Sequence, residues 1–269
     1  MRKLHWSLTI TGWATLGFLY LPLLAVAVCS FNDSRLLGDW QGFTFQWYER
    51  LFVYYPDNRI DSEPLFAATR NTVVLAVIST AISTVLGTLL ALGLRGRWPG
   101  WSRTPMMAVV MLPVITPDII LAAAMVALRQ VWSLFDPGLF AMVVAHVTFQ
   151  VSFVALIVHA RLVQIGHGQE EAARDLYASS WGVFRRILLP QLAPAIAAGA
   201  MLAFTLSLDD FVISFFTASP QSTTLPLLIQ ASIRRGIAPE IHALSTLILL
   251  ATVVLVLALT HLTRPKLQE

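Results

Sequence analysis

Three aspartates stand inside otherwise apolar stretches of this sequence: Asp118 directly after Pro117, and the adjacent pair Asp209 and Asp210, followed at once by Phe211. A carboxylate within a membrane-spanning segment costs about 2.5–3.5 kcal/mol on insertion scales, so these three are expected to face protein or a watery path and not lipid. Two adjacent carboxylates point about 100° apart on a helix and repel one another unless a cation intervenes. A cation between them would relieve that repulsion, with Phe211, Phe215 and Phe216 offering ring faces for cation–π contact or simply packing. The same aspartates would also suit interhelical hydrogen bonds or helix caps, and Asp118 could serve backbone groups that Pro117 leaves without partners.

Other chemistries find no residues to carry them. There is no Gly-x-x-x-x-Gly-Lys loop to cradle phosphates, so nucleotide hydrolysis by this chain is not expected. The six histidines, His5, His146, His159, His167, His242 and His261, lack the His-Glu-x-x-His spacing of a zinc site. No Gly-x-Ser-x-Gly elbow offers a nucleophile. Cys29 is the one cysteine and lies in an apolar run, which excludes a disulfide framework and a thiolate metal site. No catalytic residue, metal site or bound cofactor is therefore expected.

Composition identifies the solvent that such aspartates must avoid. The 269 residues are 57% hydrophobic and only 12% charged, whereas soluble domains run near half and about a quarter. The mean hydropathy of +0.71 averages polar loops with apolar runs, so the runs themselves are suited to lipid. A formal charge of +3 matches an anionic membrane surface better than a nucleic acid, and no nucleic-acid partner is expected.

About 20 predominantly apolar residues cross a ~30 Å hydrocarbon core as a helix. Six runs of that order are bounded by charge or turn residues: 8–31, 71–94, 104–128, 139–158, 192–216 and 242–262. Only helices and closed barrels satisfy their backbone in lipid, and barrel alternation is missing. The sequence thus predicts an all-α integral membrane protein with about six transmembrane helices, forming a single transmembrane domain over 1–269. Arg2 and Lys3 before the first run and Ala25-Val26-Ala27 near its end mimic a signal peptide, but the run is too long for a signal core and predicts an uncleaved span. Lys and Arg are richer in the segments that lie inside when both termini are cytoplasmic, among them Arg95, Arg103, Arg161, Arg174, Arg185 and Arg186.

Two connecting segments invite a function. The first, 32–70, is rich in aromatics (Trp40, Phe43, Phe45, Trp47, Tyr48, Tyr54, Tyr55) and suits an interfacial anchor or a docking surface. The second, 159–190, is the largest cytoplasmic segment under this orientation. Glu170 and Glu171 favour a helix N-terminus there, and Ser179 or Ser180 can cap a second short helix. In that second helix Val183, Phe184 and Ile187 share one face while Arg185 and Arg186 stay hydrated. Two short helices between spans form a knob that another protein can grip.

The run Glu171-Ala172-Ala173, followed by Ile187 and Leu189-Pro190, resembles the EAA loop of bacterial ABC importer permeases. Six positions separate Glu171 from the family's glycine position, which falls on Tyr177, and ten more lead to Ile187. The resemblance implies that Glu170, Glu171, Ala172, Ala173, Asp175, Leu176, Tyr177, Ala178, Ser179, Phe184, Ile187 and Pro190 form coupling helices that dock on a separate ATPase, which would hold the ATP and magnesium. Tyr177 departs from the pattern, because a left-handed conformation that glycine adopts freely is costly for a bulky residue. Either the turn or the docking surface is expected to differ here.

Further stretches are similar to the polyamine (spermidine/putrescine) importer permeases: Ser30-Phe31-Asn32, Thr116-Pro117-Asp118-Ile119, Ala145-His146-Val147-Thr148-Phe149, and Phe204 through Asp210. Leu225-Pro226, Pro239-Glu240-Ile241 and Ala243-Leu244 extend the match over nearly the whole chain. This implies a type I ABC importer permease architecture in a bacterial inner membrane. It also implies as partners a second, non-identical permease, two ATPase copies and a periplasmic substrate-binding protein. Asp209, Asp210, Asp118 and Phe211 would then line the path of a small cationic amine. The alternatives are a proton-coupled secondary transporter using the same aspartates, an ABC permease for another small amine or amino acid, and a scaffold without transport.

Overall fold

The computed structural model describes residues 2–34, 39–53, 62–96, 99–234 and 239–263. Among these the chain is helical almost throughout: α1 (Arg2–Cys29), α2 (Gln46–Phe52), α3 (Ser62–Leu94), α4 (Gly100–Ile115), α5 (Asp118–Val131), α6 (Leu139–Ile165), α7 (Gly168–Asp175), α8 (Ser180–Val183), α9 (Leu189–Asp209), α10 (Val212–Thr217), α11 (Leu225–Arg234) and α12 (Pro239–Thr263). Among the described residues four helical stretches are long and apolar enough to cross a membrane: Trp6–Cys29, Pro64–Leu94, Leu139–Ile165 and Ser180–Asp209. The last joins α8 to α9 through a π-helical turn at Phe184–Leu188. α12 covers the sixth apolar run.

Two of the expected straight spans are broken. The run 104–128 divides into α4 and α5, which meet at 99°. Pro117 forces the residue before it out of the helical region, and Thr116 is extended accordingly (φ −79°, ψ 128°). The run 192–216 also divides, because Asp210 leaves the helix (ψ 121°) and α10 starts afresh at Val212. Each break deposits an aspartate at a helix end, and α5 and α10 pack against each other.

The described residues form two compact units. One comprises Met1–Phe66 with Ile229–Glu269. There α12 contacts both α1 and α2, and the most apolar stretch of α1 buries nothing against the chain itself, which leaves its apolar side chains to lipid or another subunit. Asn32 organises the loop that follows α1. Its Oδ1 accepts from the backbone N–H groups of Ser34 (3.3 Å) and Gln41 (3.0 Å), its Nδ2 donates to Asp39 O, and its own carbonyl accepts from the buried Trp47 indole at 2.7 Å. Phe31, Phe43, Phe45 and Tyr48 stack beside it, with Phe31 and Phe43 nearly parallel at 5.2 Å. Tyr54 and Tyr55 lie outside the described residues.

The other unit, Ala67–Leu228, centres on α6. A helix that is apolar all round belongs in an interior, and α6 is the most buried of the long helices. Its Val154, Val158 and Leu162 join Ala91 of α3 and Leu192 and Ala203 of α9 in one core. The close approach needs glycine at Gly87 of α3: a Cβ there would sit 2.7 Å from Val154 Cβ and 2.9 Å from the Val151 carbonyl. Small residues at such contacts let helix backbones pack closely where lipid gives no hydrophobic drive for association.

Candidate functional site

The two breaks converge on one cavity of about 380 Å³, lined by Asp118, Phe149, Phe153, Leu206, Asp209, Asp210, Phe211 and Val212. Asp118 is the first residue of α5 and Asp209 the last of α9, and both are exposed. Asp210 is turned inward. Its Oδ1 accepts from Ile213 N–H at 3.2 Å and its Oδ2 from Ser214 N–H at 2.8 Å, so it caps α10. Phe211 lies against Phe215 with ring centroids 5.6 Å apart and the rings tilted by 35°. Aspartates 91 positions apart in sequence thus share one opening, and aromatic rings from α6 form part of its wall.

Behind Asp210 lies a buried polar seam. His146 Nε2 is 3.3 Å from Asp210 Oδ2, its Nδ1 is 2.8 Å from Ser207 Oγ, and Ser207 Oγ is 3.3 Å from Ser79 Oγ. A helical turn further along, Ser83 Oγ donates to Gln150 Oε1 at 2.9 Å and Gln150 Nε2 donates to the Ala203 carbonyl. Sequence reasoning assigned His146 no role. The available signal was an ionisable side chain in the middle of an apolar run, which seldom lacks a partner inside the membrane.

The segment 159–190 also has a definite build. α7 carries Glu170, Glu171, Ala172, Ala173 and Asp175, and closes in a Schellman motif: Tyr177 N–H donates to Arg174 O at 2.9 Å and Ala178 N–H to Ala173 O at 3.0 Å. That motif requires a left-handed residue at the position of Tyr177, and Tyr177 adopts φ +59°. The turn therefore keeps the geometry that glycine would favour, with a tyrosine in it. Ser179 caps α8 by accepting from Gly182 N–H at 3.2 Å. Val183 is buried, Phe184 and Ile187 are half-buried, and Arg185 and Arg186 are exposed, as the spacing predicts; Pro190 is the second residue of α9.

Two clamps tie this knob to the long helices. Glu170 pairs with Arg95, just past the end of α3, at 2.6 Å with both side chains largely buried, and Gln169 accepts from Gln191 Nε2 of α9 at 2.6 Å. Large apolar side chains remain outward among exposed charged ones: Leu176, Tyr177 and Trp181 are 82%, 98% and 66% exposed, beside exposed Glu171, Arg174 and Asp175. Pro190 and Asp209 lie at opposite ends of α9, roughly 28 Å apart at ~1.5 Å per residue, so one rigid element connects knob and cavity.

Comparison with known proteins gives this arrangement a family. Residues 83–264 match the family of the binding-protein-dependent transport system inner membrane component. The chain belongs to it. This permease is 35% identical over 254 residues to the spermidine/putrescine transport system permease protein PotC of Escherichia coli (strain K12), covering 94% of this chain and 92% of that one. It is 38% identical over 240 residues to the putrescine transport system permease protein PotI of the same organism, covering 86% and 82%. Its fold is similar to that of a bacterial ABC transporter involved in the import of the acidic polysaccharide alginate, with TM-score 0.76 at 20% identity over 99% of this chain and 96% of that one. A bacterial alginate ABC transporter in complex with alginate pentasaccharide-bound periplasmic protein gives TM-score 0.74 at 19% identity over 98% of this chain and 94% of that one. The permease is thus an inner membrane transport subunit with the all-helical ABC permease fold.

Replacing Tyr177 by Gly has a sign opposite to most substitutions. The left-handed conformation costs a bulky L-residue roughly 1–2 kcal/mol, and the backbone entropy of glycine in the unfolded chain returns part of that. A net stabilisation of about 1 kcal/mol is expected, seen as roughly fivefold slower hydrogen exchange at the Ala178 amide. Faster exchange would show that the exposed ring holds the turn.

Proposed function

We propose that this permease forms half of the translocation pathway for a small cationic amine, a polyamine such as putrescine or spermidine, in an importer driven by a separate ATPase. The observation that carries this reading is the convergence of Asp118, Asp209 and Asp210 with aromatic rings on one cavity in a lipid-facing fold. Carboxylates only accept hydrogen bonds, and ammonium groups only donate them. Ring faces add attraction for a cation. The names of the two Escherichia coli relatives point to the same cargo.

In this reading both termini and the segment 159–190 face the cytoplasm of a bacterial cell, and the cavity lies toward the outer leaflet of its inner membrane. The partners are a second, non-identical permease, two copies of an ATPase that bind ATP and magnesium, and a periplasmic binding protein that delivers the amine. Leu176, Tyr177 and Trp181 seat in the ATPase, and α9 carries its movement to Asp209, so that the cavity alternates between the two sides. The retention of Tyr177 in a position suited to glycine supports a docking role, since strain persists where function requires it.

Reconstitution tests the whole reading. Liposomes holding the full complex should accumulate radiolabelled putrescine only with ATP and binding protein, whereas liposomes holding this chain alone should accumulate none. ATP-independent uptake by the chain alone, driven by a proton gradient, would establish the secondary-transporter alternative.

A further inference from the structure

We propose that His146 is a positioning residue for cargo recognition: its imidazole holds Asp210 as the cap of α10 and so leaves Asp209, of the adjacent pair, to the cavity. This rests on the reading of the cavity as the amine's path.

The His146 side chain is 0% exposed and that of Asp210 is 6% exposed. The Asp210 carboxylate accepts from Ile213 N–H, Ser214 N–H and His146 Nε2–H, so its acceptor capacity is largely taken by the protein. A carboxylate cannot donate, so the proton of the facing imidazole nitrogen belongs on Nε2, with Ser214 Oγ a secondary neighbour at 3.4 Å. Nδ1 then receives the Ser207 hydroxyl, which fixes the tautomer. Asp209 has no such set of donors and opens to the cavity.

α6 supplies both the latch and the wall. Phe149 and Phe153 follow His146 by three and seven positions, on the same helical face, and both line the cavity. Without the Nε2–H donor, the buried Asp210 carboxylate loses one of its three hydrogen-bond donors. The start of α10 would be released, and with it Phe211 and Val212 of the cavity wall beside Asp209, so that the amine is held less tightly. The affinity for the amine changes, while the machinery that turns over ATP is untouched.

Two substitutions separate this from a plain packing role. His146→Gln can offer an amide N–H at the place of Nε2, toward Asp210, whereas the shorter His146→Asn offers one at the place of Nδ1, toward Ser207, and withdraws it from Asp210. In the reconstituted complex, KM for putrescine should rise about tenfold in His146→Asn and stay within about twofold of the parent in His146→Gln, the loss of one charge-assisted hydrogen bond being read as affinity. Maximal rate and subunit composition should be alike in both. Equal KM values in the two variants, or changes confined to maximal rate or assembly, would overturn the proposal. An Asp209→Asn variant with parental KM would instead overturn the cavity reading itself, whatever the His146 variants do.

Discussion

On the proposed reading, Asp209→Asn should lower putrescine uptake at sub-saturating concentration by about 30-fold or more, with the subunits still assembled. Removing one partner of a buried, hydrogen-bonded charge pair costs about 2 kcal/mol at the low end, and that is ~30-fold in affinity. Asparagine keeps the size of aspartate and its carbonyl acceptor, and Asp209 ends α9 without capping another helix, so the fold has no reason to change. Asp118 should show the same direction with a smaller effect, roughly fivefold, because its carboxylate sits at the N-terminus of α5 and is already partly satisfied by the helix dipole. Initial rates of uptake across a range of putrescine concentrations distinguish the loss of affinity from a loss of turnover. Parental kinetics in Asp209→Asn would remove the cavity from the transport path.

On the proposed reading, Leu176→Asp should abolish ATP-driven uptake, by about 100-fold or more, and strip the ATPase from the purified complex. Leu176 ends α7 with its side chain 82% exposed, so within this chain the substitution deletes no packing. In a desolvated interface an unpaired carboxylate costs on the order of 3–5 kcal/mol, which is a factor of 100 or more. The effect separates the importer reading from proton coupling: a chain that transports by itself would be indifferent to a charge on this knob. Retention of the ATPase together with normal uptake would show that the partner grips elsewhere.

The two results probe opposite ends of α9, and the architecture between them explains why both are needed. Glu170 belongs to the acidic start of α7, yet the structure spends it on Arg95 and not on an outward surface. The knob is thereby anchored to α3 and, through Gln169 and Gln191, to α9, and it keeps Leu176, Tyr177 and Trp181 outward together with Glu171, Arg174 and Asp175. A sequence lists acidic and apolar residues in the loop side by side; which of them are turned inward depends on Arg95, some 75 positions away.

The periodicity and length of the apolar runs, the acidic opening of α7, a serine cap at Ser179 or Ser180 and the hydrated Arg185 and Arg186 are all local matters, and the sequence alone determined them. Span-length hydrophobicity admits only a helix in lipid, and capping is decided within three or four residues. The bend at Pro117 was within reach too, since proline restricts its neighbour whatever surrounds it. Only the tertiary structure decided that the break at Asp210 meets the break at Pro117, and that Asp118 and Asp209 open to one cavity while Asp210 is turned toward His146. Those outcomes depend on contacts between α5, α6, α9 and α10, where an aspartate becomes a cap or a cavity wall according to the donors that other helices bring within hydrogen-bonding distance.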